Sequence, residues 1–172
     1  MTPAKVVSLQ KVSSLDFLEA DGAGLRFGAL ASLRRIELSP TVREGWPLLA
    51  EAIGSIASVQ TKVMGTAVGN LCVGTPASDV APALFALQAK VKLAGLDGER
   101  ELPIEEFFVD AGVTAVGPHE IVTEILVPPL PPNAQGAFRK LSKTAEDIAK
   151  INLAVTLQGS NGCCEEARIA LG

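Results

Sequence analysis

The sequence predicts an α+β domain built mainly from antiparallel strands, and three features point there. Apolar and polar residues alternate on both sides of Asp21-Gly22 and again around Asp97-Gly98, the pattern of β-hairpins. Helical spacing is concentrated in two stretches, residues 31–56 and 80–87. With 172 residues, 48% of them apolar, the chain can bury roughly 70% of its unfolded surface without help from disulfides or metal.

Taken in order, residues 6–9 and 15–19 read as short strands, and residues 24–28 as the strand returning from the Asp21-Gly22 turn. From Ala31 the period changes. Leu33 and Ile36, then Trp46, Leu48, Leu49, Ile53 and Ile56, recur at helical spacing. Breaks at Ser39-Pro40 and Trp46-Pro47 divide this stretch into two or three short helices, with each proline near a helix start. Residues 60–78 show no period and read as a loop. Asp79 is the expected N-cap of a helix carrying Val80, Ala83, Leu84 and Leu87. Strands follow at 90–93 and 100–102, one helical turn at 104–108, and an alternating strand at 120–127. Pro128, Pro129, Pro131 and Pro132 make a stiff, extended connector. Beyond it, residues 137–141, 152–157 and 168–171 read as strands. The expected organisation is one unit over residues 1–130 and the beginning of a second over 131–172.

Composition removes several function classes. Fifteen Lys and Arg stand against 19 Asp and Glu, a net charge of −4 with no basic block, so nucleic acid is not an expected partner. The uncharged run 63–78 is short and broken by glycines and Pro76, which argues against a membrane span. The N-terminus lacks the apolar core of a signal peptide, giving a cytoplasmic expectation. Three cysteines form no closed disulfide set, and Cys72, His119, Cys163 and Cys164 lack the spacing of a zinc or iron–sulfur site. His119 reads as a solvated turn residue, and Glu105-Glu106 and Glu165-Glu166 as solvated faces.

The chemistry-bearing stretch is Lys62 to Asp79. Gly65, Gly69 and Gly74 allow close backbone approach to a ligand, and Thr66, Asn70, Thr75, Ser78 and Asp79 add short polar groups. Such a loop suits a phosphate- or ribose-bearing cofactor. Its spacing matches neither the Walker loop nor the GxGxxG fingerprint, and a tight structural loop is the other reading of the bare pattern.

Ile56-Ala57-Ser58, then Gly65-Thr66-Ala67-Val68-Gly69-Asn70-Leu71-Cys72 and Thr75-Pro76-Ala77-Ser78-Asp79, resemble the second flavin-binding loop of the FAD-binding medium subunit of molybdenum hydroxylases. This is the family of the carbon monoxide dehydrogenase, xanthine dehydrogenase and 4-hydroxybenzoyl-CoA reductase flavoproteins. Residues 24–30, 82–84, 89–91, 117–128, 138–140, 147–149 and 167–172 follow in the family's order.

The resemblance implies the molybdopterin dehydrogenase flavoprotein fold, an antiparallel sheet with flanking helices plus the start of a C-terminal α+β domain. It implies FAD as cofactor and an oxidoreductase component that relays electrons from an iron–sulfur small subunit to an external acceptor. A molybdopterin large subunit completes the implied hetero-oligomer, and self-association is the other expected state. On this likeness residues 1–130 are the second FAD-binding subdomain, with the first missing, and 131–172 begin the C-terminal domain. Gly65, Thr66, Ala67, Val68, Gly69 and Asn70 are the implied loop contacts, with Thr75, Ser78 and Asp79 as polar anchors. Val122 and Lys140 are the implied neighbours of the isoalloxazine. Read from the residues alone, Val122 is core, Lys140 a surface lysine, and Thr75 and Ser78 helix caps. Val68 stands where the family usually has glycine; if the backbone there is left-handed, Val68 weakens flavin binding and Val68→Gly improves it. The alternative expectation is a truncated structural fragment that binds no FAD by itself.

Overall fold

The computed structural model describes residues 4–172. The first hairpin joins β1 (Leu18–Asp21) to β2 (Gly24–Gly28), with Asp21 opposite Gly24 and the Asp21 carboxylate accepting the Ala23 amide at 2.8 Å. The glycine this turn requires is Gly24 rather than Gly22. Its φ is +134°, and a Cβ there would collide with the Val127 carbonyl of the neighbouring strand. Residues 6–9 form no strand, and Val6 and Val7 are exposed: a short alternation without a partner strand has no ladder to join. A 3₁₀ turn, Ser13–Leu15, occupies the start of the strand expected at 15–19.

The helical stretch divides at its prolines into α1 (Leu33–Leu38), α2 (Pro40–Gly45) and α3 (Pro47–Gly54). Pro40 and Pro47 sit in the first turns of α2 and α3. The Ser32 and Ser39 hydroxyls cap α1 and α2 by accepting the Arg35 and Val42 amides at 3.2 and 3.4 Å. Leu33, Ile36, Val42, Leu48, Leu49 and Ile53 turn into the core.

The loop expected over 60–78 is instead largely helical, forming α4 (Val59–Met64) and α5 (Ala67–Cys72). Each begins on a hydroxyl cap, Ser58 to the Thr61 amide at 3.3 Å and Thr66 to the Gly69 amide at 2.9 Å. α6 (Val80–Ala86) follows, then β3 (Lys90–Gly95), β4 (Gly98–Pro103), α7 (Ile104–Phe107), β5 (Phe108–Asp110), β6 (Val113–Thr114) and β7 (Glu120–Val127).

The main sheet is antiparallel throughout, in the order β1-β2-β7-β3-β4. Leu25, Phe27, Val91, Leu93, Ile125 and Val127 bury in the same core as the helices. Across β2 and β7 the Arg26 guanidinium grips the buried Glu124 carboxylate in a two-point ion pair.

A second antiparallel sheet, in the order β10-β9-β8, is made by β8 (Ala134–Leu141), β9 (Ile151–Ser160) and β10 (Cys163–Leu171). It packs on α3 and α6. Between the two sheets the connector is held where it begins, because the Trp46 indole N–H donates to the Pro128 carbonyl at 2.8 Å. Among the described residues no helix is long and apolar enough to cross a membrane, and no cluster of three or more His, Cys, Asp or Glu could hold a metal. His119 is exposed in a turn, and Glu105, Glu106, Glu165 and Glu166 are exposed.

Candidate functional site

The turn from α5 into α6 places several of the sequence-selected residues together. Thr66 ends an extended segment that bridges to Ser32, and the Gly65 carbonyl accepts the Leu33 amide at 2.9 Å. This fixes the start of α5 against α1. Ala67, Val68 and Leu71 form the buried side of α5, which packs on β7. Val68 is 5% exposed and lies inside a helix, so the left-handed backbone considered for it is absent and its side chain belongs to the core. Gly69 lies on the exposed side, and Thr66 and Asn70 are half-buried.

From Asn70 a continuous polar network runs inward. The Ser78 hydroxyl donates to Asn70 Oδ1 at 2.6 Å and accepts the Ala81 amide at 3.1 Å. Ser78 therefore supplies the cap expected from Asp79, whose side chain makes no capping bond. Asp79 is committed elsewhere. Its Oδ2 accepts from Lys140 Nζ at 2.7 Å and its Oδ1 from Asn152 Nδ2 at 2.8 Å. Lys140 also donates to the Ser55 carbonyl at 3.2 Å, and Asn152 to the Ser78 carbonyl at 3.0 Å.

Both side chains of the Lys140–Asp79 pair are 7% exposed. The surface-lysine reading of Lys140 is thus corrected: β8 directs this side chain inward, and only a buried partner makes that position tolerable for a charge. The pair connects the second sheet to the helical layer beneath it.

A second buried pair braces the same layer from α4. Lys62 Nζ reaches Glu37 Oε1 at 2.7 Å and the Gly54 carbonyl at 3.3 Å, and Arg34 adds a bond to Glu37 at 2.8 Å. Burial pushes the Glu37 carboxyl up, and the Lys62 and Arg34 hydrogen bonds outweigh it, holding the group below the usual carboxylate range.

Two sequence-selected residues stand apart from the network. Val122 is a buried core residue on β7. Thr75 accepts the Ala77 amide at 3.3 Å and lines a cleft of about 230 Å³ with Gly74, Pro76, Pro82, Phe85 and Phe108. The cleft is mainly apolar, and the one acidic side chain among its described lining residues, Asp110, bonds the Ala111 amide. Among the described residues it brings no basic or amide side chain to an anionic group, whereas Thr66, Asn70, Ser78 and Lys140 all carry donors. The Thr66 hydroxyl hydrogen and the Asn70 Nδ2 group donate to no protein atom among the described residues. Exposed Val63, Met64 and Val73 supply apolar surface on the flanks of this segment.

Asn152 was not selected from the sequence. A polar residue within an alternating strand is its only signal, and that signal normally marks the solvent side.

A family model described as the FAD binding domain in molybdopterin dehydrogenase matches residues 1–130. Among curated proteins, the chain is 32% identical over 171 residues to the 6-hydroxypseudooxynicotine dehydrogenase complex subunit alpha of Paenarthrobacter nicotinovorans, covering 98% of this chain and 57% of that one. It is 30% identical over 169 residues to the carbon monoxide dehydrogenase medium chain of Hydrogenophaga pseudoflava, covering 98% and 59%. The chain thus spans somewhat under three fifths of the length of these relatives. Among solved structures, carbon monoxide dehydrogenase from H. pseudoflava is similar with a TM-score of 0.89 at 31% identity, over 92% of this chain and 55% of that one. Quinoline 2-oxidoreductase from Pseudomonas putida 86 gives a TM-score of 0.89 at 25% identity, over 95% and 57%.

Proposed function

Because the chain belongs to the family of FAD-binding domains of molybdopterin dehydrogenases, we propose that it serves as the FAD-binding electron-transfer component of a molybdenum hydroxylase complex. In this role it relays electrons between an iron–sulfur small subunit and an external acceptor, with a molybdopterin large subunit as the further partner. Residues 1–130 act as the second flavin-binding unit and 131–172 as the flanking one. Bound FAD supplies the redox chemistry; the chain's own groups bind and orient it.

The observation that carries the reading is the continuous network from Asn70 through Ser78 and Asn152 to Asp79 and Lys140, beside the Thr66 and Asn70 donors that bond no protein atom among the described residues. The residues present fit FAD. Thr66 and Asn70 hold hydrogen-bond donors for phosphate or ribityl oxygens, and Gly69 has no side chain to obstruct approach on the exposed side of α5. Lys140 and Asp79 form a buried, oppositely charged pair suited to fixing the polar edge of a ring system, and Val63, Met64 and Val73 can cover apolar surface. Ala67 and Val68 contribute through the backbone alone, because their side chains are buried.

Titrating FAD with the purified chain and following flavin fluorescence tests this. Saturable binding that Asn70→Ala and Thr66→Ala each weaken is expected. A chain that leaves the fluorescence unchanged overturns the reading.

A further inference from the structure

We infer that Asn152 is a positioning residue for the cofactor site, acting through Asp79; this rests on the flavin reading above. Asn152 lies on β9 and is 1% exposed. Its Nδ2 group divides its two hydrogens between Asp79 Oδ1 at 2.8 Å and the Ser78 carbonyl at 3.0 Å. Lys140 holds the other Asp79 oxygen at 2.7 Å. Both carboxylate oxygens are therefore bound by residues of the second sheet, which leaves Asp79 little freedom to turn. The strand position is fixed as well, because the Asn152 backbone N–H and carbonyl both pair with Gly172 at 3.0 Å.

The orientation of the amide is unambiguous. Rotating it by 180° would set its oxygen against two acceptors, so Nδ2 must face Ser78 and Asp79. In that orientation Oδ1 is buried without a hydrogen-bond partner among the described residues. Leucine, with the same number of side-chain heavy atoms, or alanine, as at the neighbouring inward position Ala154, would avoid the orphaned Oδ1 but would leave Asp79 Oδ1 and the Ser78 carbonyl, which has Pro82 rather than an N–H four residues on, without the donor Asn152 gives them. The amide satisfies two buried acceptors at the cost of one unsatisfied oxygen of its own. It is a good choice for aligning a carboxylate and the adjacent carbonyl with one rigid, uncharged group. Aspartate would set a second negative charge against Asp79, and serine offers only one hydrogen.

The test is FAD titration of the full chain carrying Asn152→Leu, Asp79→Ala or both, with thermal unfolding measured alongside so that affinities are compared where every variant is folded. Asn152→Leu is expected to weaken FAD binding at least tenfold, and to add less than a twofold loss in the Asp79→Ala background. Asn152→Ser, which keeps one donor, should fall between, and it replaces Asn152→Leu if the latter does not fold. Equal affinity of Asn152→Leu and the unmodified chain overturns the inference while the flavin reading stands, and so do losses that simply multiply in the double variant. No FAD binding by the unmodified chain overturns the flavin reading and this inference together.

Discussion

Replacing Lys140 by methionine removes the charge and keeps most of the side-chain volume, leaving the Asp79 carboxylate at its 7% exposure with Asn152 as its one side-chain donor among the described residues. Breaking a buried ion pair from one side costs about 3–5 kcal/mol, because the remaining charge has lost both its partner and its water. For a domain of this size about 1 kcal/mol corresponds to roughly 2–4 °C in melting temperature, so Lys140→Met is expected to lower it by about 6–20 °C. The exposed pair Arg35–Asp16, at 2.8 Å with side chains 46% and 54% exposed, serves as the control. Arg35→Ala should cost less than about 1 kcal/mol. Reversible urea unfolding followed by circular dichroism reads both variants. The double variant Lys140→Met/Asp79→Leu should lose less than the two single losses combined, since it removes both charges. A loss below about 1 kcal/mol for Lys140→Met would refute the claim that this pair joins the two layers.

Three further outcomes follow from the same geometry. Val68→Gly deletes three buried carbons at ~0.8 kcal/mol each and adds ~0.5–1 kcal/mol of helix cost; the melting temperature should fall with no gain in flavin occupancy, and a gain would restore the left-handed reading of that position. The Arg100 hydrogen bond, aided by the Gly117 amide, holds Glu120 at about 2 against its ordinary 4.5, so its stabilising contribution is whole above pH 4.5 and lost as pH falls through about 2. Arg100→Ala should therefore flatten the acid limb of a stability–pH curve between those values, and an unaltered limb contradicts it. Ile151, Leu157, Ile169 and Leu171 are 48%, 46%, 67% and 69% exposed on the outer side of the second sheet, so the chain alone should sediment as an associated species that Ile169→Lys shifts toward monomer; a monodisperse unmodified monomer at micromolar concentration argues against this.

Much of the fold is visible in the sequence because the governing signals are local. Asp21-Gly22 and Asp97-Gly98 announce the hairpins, and Pro40 and Pro47 mark helix starts. α4 escapes because the residue it buries is a lysine, Lys62, and α5 because Gly69 and Asn70 interrupt its apolar residues. Their only local signals are the hydroxyls of Ser58 and Thr66 three residues before the amides they cap. Lys140 and Asn152 escape for a different reason. On β9 the small and polar residues Asn152, Ala154 and Thr156 face α6, while Ile151 and Leu157 face outward, the reverse of what alternation alone suggests. Close packing of α6 on β9 favours small inward residues, and the sequence contains no local sign of that approach. The candidate site is half legible for the same reason: residues 65–79 are contiguous, but their partners come from strands 61 and 73 positions further along.

The most direct measurement is amide chemical-shift mapping of the ¹⁵N-labelled chain during FAD titration. Saturable shifts concentrated at residues 65–70, Ser78, Asp79 and Lys140 are the predicted result. No saturable shift, or shifts confined to the apolar cleft between Phe85 and Phe108, would contradict the placement of the cofactor at this network.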